Sequence, residues 1–118
     1  MSVGARRLVV GAHYGLGEWL IQRATAIVLV LYLIVLAVRV IASMPLDYNA
    51  WTAIFVPLWM KIATLIAWVA LAYHAWIGMR DIWMDYVRAT SLRMLLLLAT
   101  ILWLAACLAW AMQILWRV

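Results

Sequence analysis

The sequence predicts an all-α membrane protein in which three transmembrane helices form part of a heteromeric helical bundle. The chain has 118 residues, of which 72% are hydrophobic and 11% charged, and its mean hydropathy is +1.12. A soluble domain of this length leaves much of its surface in water and could not cover so much apolar area. The long uncharged stretches therefore predict that lipid is the solvent for most of the chain.

Three apolar runs are each long enough to cross a bilayer, at about residues 24–43, 61–79 and 94–116. About twenty residues at a rise of 1.5 Å cover the roughly 30 Å hydrocarbon core. We divide the chain into an N-terminal segment, residues 1–22, and a three-helix transmembrane unit, residues 23–118. The dense glycines of the first segment argue against a regular helix before about Glu18, which predicts a cytoplasmic or interfacial position for it.

The connections between the runs carry helix-breaking and polar residues. Pro45 predicts a turn after the first span, and residues 51–59 are predicted to be an interfacial lead-in to the second. Residues 80–88 are predicted to form a short polar connection. Ser91 is predicted to cap the third helix.

The basic residues lie at the ends of the apolar runs, so the net charge of +5 fits lipid headgroups rather than nucleic acid. Three crossings put the chain termini on opposite sides. Six arginines fall on the N-terminal side and three basic residues on the other, which predicts a cytoplasmic N-terminus and a periplasmic C-terminus. The first group is Arg6, Arg7, Arg23, Arg80, Arg88 and Arg93; the second is Arg39, Lys61 and Arg117.

His74 is the histidine within the second apolar run, and an ionisable residue in a membrane span indicates a functional site. The residues alone leave three roles open for it: an interhelical hydrogen bond, which they favour, metal or haem ligation, and proton relay. The neighbouring Ala72, Ala75 and Gly78 leave room for a flat macrocycle, and they suit close helix packing equally well. One histidine supplies one axial position of a haem, so a second ligand would have to come from another chain.

Asp85 and Tyr86 follow at the predicted cytoplasmic end of the same helix. A tyrosine hydroxyl beside a carboxylate at this depth can hydrogen-bond a quinone carbonyl, but spacing alone favours an ordinary interfacial tyrosine beside a solvated aspartate. Arg23 opens the first span. It can neutralise a haem propionate or anchor its helix at the headgroups, and charge placement alone favours the anchor.

Four stretches of the sequence resemble, in order and spacing, the smaller hydrophobic membrane-anchor subunit of bacterial succinate dehydrogenase. The resemblance covers nearly the whole chain from about Gly15, and the second stretch together with Asp85-Tyr86 is its specific part. The third span is similar only in hydrophobicity. The four stretches are Arg23-Ala-Thr-Ala-Ile-Val-Leu29, His74-Ala-Trp-Ile-Gly-Met79, Asp85-Tyr86-Val87 and Leu92-Arg93, and the position of Lys61 is similar as well.

The resemblance implies a four-subunit complex in which a flavoprotein subunit oxidises succinate and an iron–sulfur subunit passes electrons to ubiquinone. Two membrane anchors, this chain and a second one, would hold that pair at the bacterial inner membrane and share a haem b. The resemblance implies that His74 is an axial haem ligand and that Arg23 lies near the propionates and the quinone pocket. It implies that Tyr86, with Asp85 beside it, contacts the quinone.

On this interpretation the chain is not an enzyme by itself. Two alternatives remain open: the haem-less anchor of a fumarate reductase, and a small transporter or assembly subunit that uses His74 as a proton relay. The second alternative predicts an acidic coupling residue inside a span, and none of the three predicted spans contains one.

Overall fold

The computed structural model describes the backbone of residues 3–118 and the side chains of residues 15–118. Four helices follow one another: α1 (Val3–Ala42), α2 (Tyr48–Ile54), α3 (Leu58–Tyr86) and α4 (Thr90–Arg117). The described backbone contains no strand. The all-α prediction is confirmed.

Three of these helices are long and apolar enough to cross a membrane, over Gly15–Ala42, Leu58–Tyr86 and Thr90–Arg117. Each crossing is longer than the apolar run that predicted it. A helix of 28 residues is about 42 Å long, which matches a bilayer with its headgroup regions rather than its hydrocarbon core alone. Helical geometry therefore continues beyond the lipid tails into the charged ends of the runs.

Three local predictions about where helices begin and end were wrong. The first helix starts at Val3, not near Glu18; a glycine costs only about 1 kcal/mol in a helix, so the glycines did not prevent helix formation. Most of the predicted polar connection, residues 80–88, belongs to α3. Ser91 does not cap α4, because the N-cap residue is Ala89 and makes no side-chain hydrogen bond.

The predicted turn at Pro45 leads into α2, which begins with a capped turn. Asp47 is the N-cap residue, and its Oδ1 accepts a hydrogen bond of 2.7 Å from the backbone N–H of Ala50. Such a cap satisfies one of the free N–H groups at a helix start. The predicted lead-in, residues 51–59, is therefore a short helix followed by a turn.

Helix α3 is the central element, because it contacts both α1 and α4. It also holds most of the buried residues among the described side chains, whereas the described part of α1 holds none. Several of them are small, which lets neighbouring helices approach closely. The buried residues of α3 are Met60, Thr64, Ala67, Ala70 and Ile77.

Basic side chains mark the end of the bundle where α1 and α4 finish. Arg39 Nη2 donates a 2.8 Å hydrogen bond to the carbonyl of Ile54, and Lys61 Nζ donates one of 3.3 Å to the carbonyl of Val118. The end of α1, the start of α3 and the end of α4 thus lie together. This arrangement confirms the prediction that Arg39 and Lys61 belong to the same side.

Candidate functional site

His74 lies on α3 at the contact with α1. Its ring is half-buried, and Nδ1 lies 3.1 Å from the Thr25 hydroxyl of α1. The predicted interhelical hydrogen bond is therefore present. Thr25 was not predicted as a site residue, although its position close to Arg23 at the start of the first span was an available signal.

One flank of His74 is open. Gly78, one turn further along α3, has nothing within 4 Å of the place where a Cβ would lie, and Leu71, one turn earlier, is half exposed. These three residues share a face because positions three and four apart on a helix are neighbours. The other flank of His74, which carries Ala70 and Ile77, is buried. His74 therefore lies between a packed flank and an open one.

The second ring nitrogen, Nε2, makes no hydrogen bond within the part of the chain whose side chains are described. In that same part, no three residues of the His, Cys, Asp or Glu type converge to hold a metal ion. A metal at His74 would consequently need its remaining ligands from a cofactor or from another chain.

A polar cleft of about 320 Å³ opens between α1 and α3 one turn from His74. Arg23 lies in it, with its guanidinium 5.2 Å from the centroid of the Trp19 ring. At that distance an arginine is attracted to the aromatic face. The cleft is lined by Gly15, Glu18, Trp19, Gln22, Arg23, Ile77 and Asp81.

An ion pair joins the two helices beside this cleft. Arg80 of α3 pairs with Glu18 of α1, and its Nη2 is also 3.9 Å from Asp81 Oδ1. Gln22 Oε1, on the same side, is buried and has no hydrogen-bond partner among the described residues. From the sequence, Arg80 was assigned to a connection and to the charges of the N-terminal side, and no ion pair with Glu18 was predicted. The usable signal was that Glu18 and Arg80 lie at the same end of two antiparallel spans.

Asp85 and Tyr86 lie away from this cleft. Both are exposed, Tyr86 by 81%, and neither lines the cleft. At 1.5 Å per residue Tyr86 is about 18 Å along α3 from His74. Among the described side chains, then, Arg23 lies in the cleft and two residues before Thr25, the partner of His74, whereas Asp85 and Tyr86 are exposed at the end of α3.

These features define a class: a multi-pass helical membrane protein with a histidine held between two helices, next to a polar cleft. Residues 2–111 match the family model of the succinate dehydrogenase/fumarate reductase transmembrane subunit. The chain is also similar to the succinate dehydrogenase hydrophobic membrane anchor subunit of Coxiella burnetii (strain RSA 493 / Nine Mile phase I). The two are 37% identical over 102 residues, which cover 86% of this chain and 89% of the relative.

The chain therefore belongs to the family of succinate dehydrogenase/fumarate reductase transmembrane subunits. The family resemblance stated from the sequence is confirmed.

Proposed function

We propose that this chain is a membrane-anchor subunit of a succinate:ubiquinone oxidoreductase, in which His74 is one axial ligand of haem b and Tyr86 with Asp85 forms part of the quinone site. Membership of the family supports the anchor role. The observation that carries the haem assignment is the environment of His74, with one ring nitrogen engaged by α1 and an open flank beside Gly78.

The residues around His74 fit a haem. A planar macrocycle needs space beside its ligand, and the missing side chain at Gly78 provides it. A bound haem would supply one-electron transfer or storage. His74 would hold its iron from this chain, together with a histidine of the second anchor subunit. Arg23, in the neighbouring cleft between α1 and α3, would offer a positive charge to the propionates.

Tyr86 and Asp85 are proposed to serve the quinone. Reduction of a quinone takes two electrons and two protons, and a positioned acid or base promotes such proton transfers. The Tyr86 hydroxyl donates a hydrogen bond to a quinone carbonyl oxygen, and Asp85 passes protons from the aqueous side. Because both side chains are exposed on this chain, residues of partner subunits complete the site.

The chain has no catalytic role by itself in this proposal. The flavoprotein subunit oxidises succinate, the iron–sulfur subunit carries the electrons to the membrane surface, and the two anchors bind that pair. The complex lies in the bacterial inner membrane, with the N-terminus of this chain in the cytoplasm and its C-terminus in the periplasm.

Replacement of His74 tests the proposal. We expect His74→Ala to remove most of the haem b absorbance from the purified complex, because the iron loses one of its two protein ligands. The measurement is a pyridine haemochrome spectrum, with the subunits of the preparation identified by mass.

Tyr73→Ala is the matched control. It removes a larger ring from the exposed neighbouring position, and we expect it to retain the haem. Full haem occupancy in His74→Ala would reject the ligand assignment. A wild-type complex without haem b, and with the expected subunits present, would favour the haem-less fumarate reductase alternative.

A further inference from the structure

The Thr25 hydroxyl has three possible partners around it. Its Oγ1 lies 2.9 Å from the carbonyl oxygen of Ile21, 3.1 Å from that of Gln22 and 3.1 Å from His74 Nδ1. A hydroxyl has one proton to donate, and a carbonyl oxygen can only accept. The direction of the bond to His74 therefore depends on which partner receives the single proton of Thr25.

Thr100 of α4 has the same arrangement, but its partner on the neighbouring helix can only donate a hydrogen bond, so the direction of that bond is fixed. Its Oγ1 lies 2.8 Å from the carbonyl oxygen of Leu96, four residues earlier, and 3.0 Å from Trp83 Nε1 of α3. An indole nitrogen only donates. Thr100 therefore accepts from Trp83 and donates its proton to its own helix.

Thr25 repeats this geometry across the α1–α3 contact. Its shortest contact is with the carbonyl of Ile21, also four residues earlier, which is the usual acceptor for a threonine hydroxyl inside a helix. A second carbonyl, that of Gln22, lies on the same side. Two acceptors on its own helix compete for the proton, so the hydroxyl oxygen is left to accept from the ring.

We propose that Thr25 is a positioning residue that accepts a hydrogen bond from Nδ1–H of His74 and so fixes the tautomer of that ring. Neutral imidazole carries one proton, and a proton on Nδ1 leaves the lone pair on Nε2. Nε2 is the nitrogen without a partner among the described residues. The inference rests on the proposed function, because a lone pair on Nε2 is what an iron ligand needs.

The bond also changes the ligand electronically. An acceptor on the far nitrogen raises the basicity of a metal-bound imidazole and fixes its ring orientation. A more basic ligand stabilises the oxidised iron. Loss of the Thr25 acceptor should therefore shift the midpoint potential of the haem to more positive values, with the haem still bound.

Thr25→Val tests this inference, since valine keeps the shape of threonine and lacks the hydroxyl. In the purified complex we expect a positive shift of the haem midpoint potential in a redox titration and altered g-values in the electron paramagnetic resonance spectrum of the oxidised haem. Thr25→Ser keeps a hydroxyl and should restore both towards wild type. Thr100→Val removes the equivalent bond to Trp83 and should leave both unchanged.

Each outcome decides the inference. An unchanged potential and spectrum in Thr25→Val, or a negative shift of the potential, would overturn it. If Thr25→Val does not assemble, Thr25→Ala is measured and interpreted in the same way. The His74→Ala variant distinguishes the two proposals: haem retained there overturns the assignment of His74 as a haem ligand, whereas haem lost there with Thr25→Val unchanged overturns only the role of Thr25.

Discussion

At the scale of single residues, two tyrosines at opposite ends of the molecule offer a direct comparison. Tyr86 at the end of α3 is 81% exposed, and Tyr48 at the start of α2 is 78% exposed. Each tyrosine directly follows an aspartate, Asp85 or Asp47, but only Tyr86 lies at the end of the bundle that carries Arg23 and Arg80. A tyrosine that serves only as an interfacial side chain should tolerate the loss of its hydroxyl at either position.

We expect Tyr86→Phe to lower the rate of quinone reduction several-fold while leaving succinate oxidation by an artificial acceptor nearly unchanged. The missing hydroxyl removes a hydrogen bond to the quinone, and such a bond contributes about 1 kcal/mol, or roughly a factor of five. Steady-state assays of the purified complex with both acceptors measure the two rates.

Tyr48→Phe serves as the control and should alter neither rate. Equal losses in both assays for Tyr86→Phe would indicate an assembly defect rather than a quinone contact. The same loss in Tyr48→Phe would remove the distinction between the two positions on which the assignment depends.

Among single residues, the sequence predicted a site residue best where a rare residue type lies in an apolar run. His74 was predicted as the site residue, and it does lie between helices. Thr25 and Glu18 were missed as partners because the bonds they make join helices far apart in the chain. Tertiary contacts of this kind depend on helix rotation, which apolar periodicity does not determine in a helix that is hydrophobic all round.

At the scale of elements, the contact between α1 and α3 depends on three polar links spread along its length. Arg80 with Glu18 lies at one end, Thr25 with His74 follows, and Tyr32 with Thr64 lies further along. Lipid tails are as apolar as helix surfaces, so packing and interhelical hydrogen bonds, rather than hydrophobic burial, hold such helices together. The three links set the register of α1 against α3.

The Tyr32–Thr64 link is suited to a double-mutant cycle. Its two hydroxyl oxygens are 2.7 Å apart, and Thr64 is 1% exposed. We expect Tyr32→Phe and Thr64→Val to be non-additive by about 0.6 kcal/mol, the average for interhelical hydrogen bonds in membranes. The measurement is the resistance of the complex to unfolding by SDS in mixed micelles.

The control cycle combines Tyr32→Phe with Thr100→Val, which belongs to a different link. Its two effects should add, because distant sites without shared partners behave independently. Additivity in the Tyr32–Thr64 cycle as well would show that this link contributes nothing to the pairing of α1 with α3.

The lengths of the elements were predicted less well than their number. Hydropathy identified three crossings because uncharged runs of about twenty residues are rare outside membranes. Hydropathy placed the ends of the helices too early, because charged residues such as Arg80 and Asp85 end an apolar run without ending a helix. In α3 the backbone stays hydrogen-bonded up to Tyr86.

At the scale of the whole molecule, three crossings and the distribution of arginines predict the orientation. The crossings are joined at opposite ends of the bundle: α1 and α3 by the stretch around Leu46 together with α2, and α3 and α4 by residues 87–89. The first is on the side of Arg39 and Lys61, the second on the side of Arg80 and Arg88.

We expect alkaline phosphatase, which folds only in the periplasm, to be active when fused after Leu46 or Val118 and inactive when fused after Arg88. A green fluorescent protein fused at the same three positions should give the reciprocal pattern. Activity after Arg88 with none after Leu46 would reverse the orientation and place Tyr86 on the periplasmic side.

The central position of α3 has a consequence for how the subunit is made. Each outer helix has one flank against α3, and the apolar side chains on its other flanks can face lipid tails without a hydrophobic penalty. We therefore expect a newly inserted copy to remain in the bilayer before its partner subunits arrive. Synthesis of this polypeptide and its incorporation with other polypeptides would then be separable in time.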